Sequence, residues 1–227
     1  MTSEPRLVIA IDGPSGVGKS STSHLVAQQL ECDYLDSGSM YRALAVWCHH
    51  KHIDPADAGT VARTASYVDL EIVTNPIDFR IAISGVDLTD DLHRPEVSAI
   101  VSGYASNQRV REILNKQMRA IIADRGRIVV EGRDITTVVA PDADVRILLQ
   151  ADPRRRIARR QAQLGGALDP ATVSEQVIGR DTADSANAQF KTPAPGVELI
   201  DSTMMSLDQV VAEVIALVPE EKRFPRG

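Results

Sequence analysis

The sequence predicts an α/β fold in which helices flank a parallel β-sheet. Apolar runs rich in Val and Ile are nearly continuous, which is typical of strands buried on both faces of such a sheet. They cover residues 6–11, 127–131, 144–149 and, in shorter form, 197–201. Segments with helical spacing lie between these runs, so strands and helices alternate along the chain. A glycine-rich loop with one lysine directly follows the first run.

Helices are predicted where apolar side chains recur every three or four residues. A helix after the glycine-rich loop, a second one near residue 40 and a long third one show this spacing. Their apolar faces comprise Leu25, Val26 and Leu30; Met40, Leu44 and Trp47; and Val110, Ile113, Leu114, Met118, Ile121 and Ile122. The last helix begins at Ser206, where Ser-Leu-Asp-Gln forms a capping box, and extends to about Val218.

Two segments depart from this alternation. Residues 69–89 alternate apolar and polar side chains around Asn75-Pro76 and Ser84-Gly85, which predicts a small antiparallel hairpin or meander. Residues 152–192 contain many arginines and few large apolar side chains. We therefore expect a charged, mobile segment there rather than part of the core.

The composition predicts a cytoplasmic globular protein with a small anionic ligand. The 227 residues carry a net charge of −6 and are 43% hydrophobic, and no apolar run approaches the ~20 residues that span a bilayer. Cys32 and Cys48 form no disulfide pattern, and no secretory signal is visible. The acidic balance disfavours nucleic acid, whereas the basic cluster RRRIARR at 154–160 favours a compact anion. We expect a monomer that binds neither membrane nor nucleic acid.

The glycine-rich loop GPSGVGKS matches the phosphate-binding pattern G-x-x-x-x-G-K-[ST], with a strand before it and a helix after it. Its glycines let backbone N–H groups turn towards an anion, and the helix adds the positive end of its dipole. Lys19 supplies a charge for the β- and γ-phosphates, and Ser20 supplies a hydroxyl for Mg²⁺. The residues predicted to bind the triphosphate are Gly13, Pro14, Ser15, Gly16, Val17, Gly18, Lys19, Ser20 and Ser21.

The loop by itself does not distinguish a kinase from a GTPase or a motor protein. The chain has no N-K-x-D pattern for guanine, and the run at 127–131 ends in Glu131 where an ordinary Walker B strand has aspartate. It is also short for a motor. A kinase of a small metabolite fits best, because such an enzyme needs cations for two sets of phosphates and a lid that excludes water.

Several segments, in their order and spacing, resemble the bacterial cytidylate kinases from about Val8 to Val214. They are IAIDGPSGVGKS, LDSGSMYRA (35–43), EGRDITTVV (131–139), RRRIARR, GRDTADS (179–185) and ELIDST (198–203). The resemblance implies a single nucleoside monophosphate kinase domain with a P-loop NTPase-type sheet of five parallel strands. It also implies a core at about 6–36, 106–151 and 193–218, a monophosphate-binding insertion with a small antiparallel β-sheet at about 37–105, and an arginine-rich lid at about 152–192.

The resemblance further implies a reaction that transfers the γ-phosphoryl group of ATP to CMP or dCMP with Mg²⁺. Arg42 and Arg133 would hold the acceptor phosphate, because a guanidinium pairs with two phosphate oxygens at once. Tyr41 would add a hydroxyl donor beside them, and Ser37 would also contact the nucleotide.

Asp134 and Arg111, with Ser102 beside them, would read the cytosine base. A carboxylate accepts from the N4 amine and an arginine donates to N3 and O2, whereas uracil places an oxygen opposite the carboxylate. Arg180 and Asp184 lie four positions apart, so they would share a helical face that holds the ribose hydroxyls.

Arg156, Arg159 and Arg160 correspond to the lid arginines of the family and would neutralise charge on the transferred group. Asp36 would orient a water on the Mg²⁺ that Ser20 also holds. The implied catalytic residues are Lys19, Arg133, Arg156 and Arg159.

One position departs from the family pattern R-D-x-x-D-x-x-R. Asn187 stands where a phosphate-binding arginine is expected, so either Lys191 substitutes for it or CMP binds more weakly. Two alternatives also stay open. A kinase of another small acceptor would not need Asp134 and Arg111, and a non-catalytic nucleotide switch would not need the lid arginines.

Overall fold

The computed structural model describes residues 5–92, 94–163, 172–174, 179, 181–182, 190 and 192–223, and in it helices separate the strands of the central sheet. The strands are β1 (Leu7–Asp12), β2 (Asp33–Asp36), β3 (Leu70–Val73), β4 (Arg80–Ile83), β5 (Val86–Asp87), β6 (Arg127–Gly132), β7 (Val145–Gln150) and β8 (Glu198–Asp201). The helices are α1 (Lys19–Gln29), α2 (Ser37–His50), α3 (Ala58–Tyr67), α4 (Pro95–Ala105), α5 (Gln108–Arg125), α6 (Pro153–Gln163), α7 (Leu207–Ala216) and α8 (Glu220–Arg223). A π-helical turn covers Ile135–Val139.

A parallel sheet of five strands, in the order β2-β6-β1-β7-β8, forms the centre of the described structure. β1 lies in the middle, where Ile9 pairs with Val129 of β6 on one side and with Val145 of β7 on the other. Every residue of β1 and β6 is buried, as expected for strands covered by helices on both faces. The apolar runs that predicted strands all form them, and the predicted fold class is confirmed.

Alternate residues of β1 enter two different cores, because successive side chains of a strand point to opposite faces. Val8 and Ala10 pack into one core with α2, α4 and α5. Ile9 and Ile11 pack into the other core with α1 and α7. Ser206 caps α7 in the predicted capping box, so the start of the last helix is also confirmed.

A second, antiparallel sheet has the order β3-β4-β5 and confirms the meander predicted for 69–89. Ser84 and Gly85 turn the chain between β4 and β5 with φ angles of +50° and +76°, a left-handed conformation that glycine adopts readily. Ile81 and Ile83 of β4 are buried in the same core as α2. This packing fixes the small sheet to the rest of the domain.

Three sequence motifs meet at the carboxyl edge of the parallel sheet. β1 ends at Asp12 before the glycine-rich loop, β2 ends at Asp36 before α2, and β6 ends at Gly132 before the Arg-Asp pair of EGRD. Parallel strands present their carboxyl ends at one edge, so the segments that follow them come together there. α6 packs on this edge so closely that a Cβ on Gly16 would lie 2.8 Å from the main-chain oxygen of Arg156.

The segment 152–192 is described only in part, and α6 occupies its beginning. Phe190 near its end is buried against Leu148, so this side chain belongs to the core although the composition predicted none there. No helix in the described ranges has the length and the apolar character needed to cross a membrane. Four residues named above lie outside the described ones: Arg180, Asp184, Asn187 and Lys191.

Candidate functional site

A cavity of about 510 Å³ at the carboxyl edge of the sheet brings together most of the predicted site residues. Its walls come from the glycine-rich loop, the first turns of α1 and α2, the end of α4, the turn after β6 and α6. Its volume is in the range of small-molecule sites. The predicted residues in its wall are Ser15, Gly16, Val17, Gly18, Lys19, Ser20, Ser21, Asp36, Ser37, Tyr41, Arg42, Ser102, Arg111, Arg133, Asp134, Arg159 and Arg160. Gly13, Pro14 and Arg156 are not part of the wall.

The glycine-rich loop has the backbone geometry of an anion site. Gly16 and Gly18 have φ angles of +72° and +103°, the left-handed conformation that an anion nest requires. α1 starts at Lys19, and among the described residues no side chain caps this terminus, so the positive end of the helix dipole faces the loop. The Nζ of Lys19 donates to the carbonyl oxygen of Pro14 at 3.1 Å, which holds the ammonium beside the loop.

A buried carboxylate of β1 holds the turn that follows β6. The Oδ1 of Asp12 accepts from the N–H of Ile135 at 2.9 Å, and its Oδ2 accepts from the N–H and the hydroxyl of Thr136 at 2.8 and 2.6 Å. Burial raises the pKa of Asp12, and these hydrogen bonds oppose the rise. Asp12 therefore ties the start of the glycine-rich loop to the turn that carries Arg133 and Asp134.

Arg111 and Asp134 form an ion pair in the cavity wall, with 12% and 9% of their side chains exposed. Burial raises the pKa of Asp134, although the guanidinium of Arg111 opposes the rise. The ring of Tyr41 lies beside this pair, 5.8 Å from the guanidinium carbon of Arg111. Among the described residues the buried Tyr41 hydroxyl has no hydrogen-bond partner, and burial raises its pKa to about 12. A polar ligand in the cavity would supply that partner.

Arg42 is buried at the cavity wall. Its Nη1 donates to the carbonyl oxygen of Leu92 at 2.9 Å and to the hydroxyl of Ser98 at 3.2 Å. These bonds tie the guanidinium of α2 to Leu92, which precedes α4, and to Ser98 in the first turn of α4. Ser37 lies on the same wall against Gly132, where a Cβ would come within 2.4 Å of the Ser37 hydroxyl. Glycine at 132 therefore allows the start of α2 to approach the end of β6.

Asp181 joins two arginines that the sequence assigned to different tasks. Its Oδ1 accepts from Arg133 at 2.7 Å, and its Oδ2 accepts from Arg156 at 2.5 Å. The N–H of Ser15 in the glycine-rich loop also donates to Oδ1, at 2.8 Å. The guanidinium carbon of Arg133 lies 4.5 Å from the centre of the Phe190 ring.

The predicted lid arginines on α6 contact the glycine-rich loop. Arg156 donates to the carbonyl oxygen of Ser15 at 2.9 Å, and Arg159 donates to that of Val17 at 3.0 Å. Arg159 also donates to the carbonyl oxygen of Ser202 at 2.7 Å. These bonds dock α6 on the loop, while contact of the arginines with a transferred phosphoryl group stays a prediction.

Carboxylate and hydroxyl oxygens that could bind a metal ion lie between β2 and β6, next to Ser20. The hydroxyl of Tyr34 donates to Oε1 of the buried Glu131 at 2.6 Å. Burial and the neighbouring charge of Asp36 raise the pKa of Glu131 to about 7, while Lys19 opposes the rise. Two mutually repelling carboxylates beside a hydroxyl are hard oxygen ligands of the kind that Mg²⁺ prefers. In the described ranges no group of three or more His, Cys, Asp or Glu side chains could hold a metal ion.

Asp12, Tyr34 and Asp181 belong to the site although no sequence pattern predicted them there, and Glu131 stood out only because an ordinary Walker B strand ends in aspartate. A signal existed for Asp12, because a carboxylate that ends an apolar buried strand needs hydrogen-bond donors. Asp181 contacts Ser15, which is 166 positions away in the chain. No local pattern announces such a contact.

A family model and curated relatives assign the chain to one family. A family model described as Cytidylate kinase matches residues 9–220. The cytidylate kinase of Cutibacterium acnes (strain DSM 16379 / KPA171202) is 53% identical over 220 residues, which cover 96% of this chain and 98% of the relative. That of Streptomyces coelicolor (strain ATCC BAA-471 / A3(2) / M145) is 42% identical over 221 residues, covering 96% and 95%. A crystal structure of an uncharacterized protein from Eubacterium ventriosum ATCC 27560 is similar in fold alone, with a TM-score of 0.50, 13% identity, and coverage of 94% of this chain and 98% of that one.

Proposed function

The chain belongs to the cytidylate kinase family. We propose that it transfers the γ-phosphoryl group of ATP to CMP or dCMP, with both nucleotides bound in the cavity. The observation that carries the proposal is that the glycine-rich loop and the Arg111–Asp134 pair line one cavity. The loop suits a triphosphate, and the pair suits a base with an amine next to two acceptors. The enzyme is therefore a phosphotransferase whose acceptor is itself a phosphate.

Cytosine is read by the charged pair. The carboxylate of Asp134 accepts from the N4 amine, and Arg111 donates to N3 and O2. Both side chains are largely buried, so a base that fails to match them leaves a polar group unpaired. The Tyr41 hydroxyl, which has no hydrogen-bond partner among the described residues, lies beside the same pair and supports a polar ligand there.

The two nucleotides meet phosphate to phosphate between the loop and the turn after β6. Lys19 and the N–H groups of α1 hold the triphosphate, while Arg42 and Arg133 hold the phosphate of CMP. The acceptor oxygen already carries a negative charge, so no general base is required. Positioning and neutralisation of charge therefore account for the rate, and Arg159 and Arg160 in the wall extend the positive lining.

Mg²⁺ fits next to Ser20, where Asp36 and Glu131 raise the density of negative charge. Ser20 and Asp36 would hold the ion, directly or through water, together with oxygens of the triphosphate. When bound, the ion supplies positive charge to the β- and γ-phosphates. Asp36 is already oriented, because its Oδ1 accepts from the N–H of Gly38 at 2.8 Å.

The protein acts as a monomer in the cytoplasm under this proposal. The two cysteines are separate buried thiols, which suits a reducing compartment. No exposed heptad pattern can be read from the sequence, which favours a single chain. Size-exclusion chromatography with light scattering would show a mass of about one chain, 24.6 kDa, and a stable dimer would contradict this part.

An acceptor panel tests the reaction directly. ADP release from ATP is followed with CMP, dCMP, UMP, AMP and shikimate, using Lys19→Ala as the control that lacks the phosphate-binding ammonium. We expect fast turnover with CMP and dCMP and slow turnover with the others. Preference for another acceptor would identify a different small-molecule kinase. ATP binding without transfer to any acceptor would identify a nucleotide switch.

A further inference from the structure

Asp181 is a buried carboxylate with no assigned task in the transfer from ATP to CMP. Its side chain is 11% exposed, and it contacts Arg133, Arg156 and the N–H of Ser15. Burial tends to raise the pKa of Asp181, but the two guanidinium groups and the Ser15 N–H outweigh it and lower the pKa. Asp181 is therefore an anion at neutral pH.

The contacts of Asp181 join three segments that are far apart in the chain. Ser15 belongs to the glycine-rich loop, Arg133 to the turn after β6 and Arg156 to α6. Arg156 also donates to the carbonyl oxygen of Ser15, so Asp181, Arg156 and Ser15 contact one another in a closed ring. Glycine at 16 leaves the space that α6 needs for this approach.

The carboxylate allows two like charges to stand close together. Arg133 and Arg156 would repel each other at one end of the glycine-rich loop, and burial would make each charge costly on its own. A carboxylate between them removes most of that cost and sets the direction of one N–H bond of each guanidinium. The cluster still carries a net positive charge, which phosphoryl transfer requires.

We propose that Asp181 is a positioning residue for phosphoryl transfer, which holds Arg133 and Arg156 against Ser15 so that the acceptor clamp and α6 are in place together. The inference rests on the proposed function, which places Arg133 on the phosphate of CMP, while the family resemblance assigns Arg156 to the transferred group. Asp181 acts through the arginines and does not contact the nucleotides.

Asp181 could instead occupy, as a stand-in, the position of a phosphate group and be displaced when a nucleotide binds. The side chains of Asp181, Arg133 and Arg156 are each 15% exposed or less, which favours a lasting contact over an exchangeable one. The two roles predict opposite results when the charge is removed. A positioning residue is needed for turnover, whereas removal of a stand-in would tighten nucleotide binding.

The test compares Asp181→Asn with Asp78→Asn, a matched loss of charge from the exposed ion pair with Arg80. Turnover number, KM for CMP, KM for ATP and ATP hydrolysis without CMP are measured on each. For Asp181→Asn we expect kcat to fall on the order of 10²-fold, with each KM changing less than about threefold. The ratio of ATP hydrolysis to transfer should rise, because α6 no longer excludes water reliably. Asp78→Asn should match the wild type.

A second variant keeps the test decisive if Asp181→Asn does not fold. Asp181→Glu retains the charge but moves it by one methylene, and we expect about tenfold lower kcat with little change of KM. An unchanged kcat in either folded variant, or a lower KM for both nucleotides, would overturn the positioning role. Failure of the wild type to phosphorylate CMP would instead refute the proposed function, so the two failures are distinguishable.

Discussion

Replacement of Asp134 by asparagine should abolish most of the discrimination between CMP and UMP. The substitution keeps the size of the side chain and removes its charge. The turn that carries it is held by Asp12 through Ile135 and Thr136, and these bonds do not involve the side chain of residue 134. The base-reading atom is therefore changed while the local backbone is maintained.

The expected size follows from the burial of the pair. In the wild type, O4 of uracil would face a carboxylate whose side chain is only 9% exposed. Such a mismatch costs about 1–3 kcal/mol, and more when the group is charged. A preference for CMP on the order of 10²-fold, or about 2.7 kcal/mol, is consistent with this cost. An asparagine amide can donate to O4 or accept from N4, so the preference should fall to about threefold.

The assay is ADP release with CMP and with UMP, reported as kcat/KM for the wild type, Asp134→Asn and the control Asp78→Asn. Urea unfolding of the same three proteins confirms that each is folded under the assay conditions. The control should retain the full preference for CMP. A folded Asp134→Asn protein that still prefers CMP by about 10²-fold would refute the reasoning, because base selection would then depend on other groups.

Three further predictions concern the elements that support the site. Gly16→Ala should lower the free energy of unfolding by about 2 kcal/mol, because alanine is strained at φ +72° and its Cβ would meet the main-chain oxygen of Arg156; an unchanged urea midpoint would contradict the packing of α6 on the loop. Glu131→Gln should stabilise the protein more at pH 8 than at pH 5 in buffer with EDTA. The stability that protonated Glu131 contributes is complete below its ordinary pKa of 4.5 and is lost as the pH rises through about 7, so equal gains at both pH values would speak against the raised pKa. Asp12→Asn leaves fewer acceptors for the donors of the turn after β6 and should lower kcat/KM for CMP by roughly tenfold, with a smaller change of KM for ATP; parallel losses for both nucleotides would argue that Asp12 serves stability alone.

The layers of the fold could be predicted because their signals are local. The run from Leu7 to Ile11 is apolar throughout, and a strand with that pattern must be covered on both faces. Residues 69–89 alternate, which predicted a separate antiparallel element. The loop from Gly13 to Ser20 carries its phosphate chemistry in its own backbone, so its ligand class could also be predicted.

The supporting contacts of the site could not be predicted, since they join distant parts of the chain. Asp12 accepts a hydrogen bond from Ile135, which is 123 positions away in the chain, and Tyr34 donates one to Glu131, which is 97 positions away. Hydrophobic periodicity specifies which face of an element is buried, but it does not specify which polar group meets which across the sheet edge. The resemblance to a family supplied the roles of Arg111 and Asp134, and the structure brings these two together.

Phosphoryl transfer in this protein requires two nucleotides that meet end to end in one cavity. A crystal structure of the protein with CMP and a non-hydrolysable ATP analogue tests this arrangement. We expect the triphosphate on the glycine-rich loop beside Lys19, the cytosine between Arg111 and Asp134, and the CMP phosphate facing the terminal phosphate of the analogue. CMP bound elsewhere, with its phosphate turned away from the triphosphate, would contradict the account.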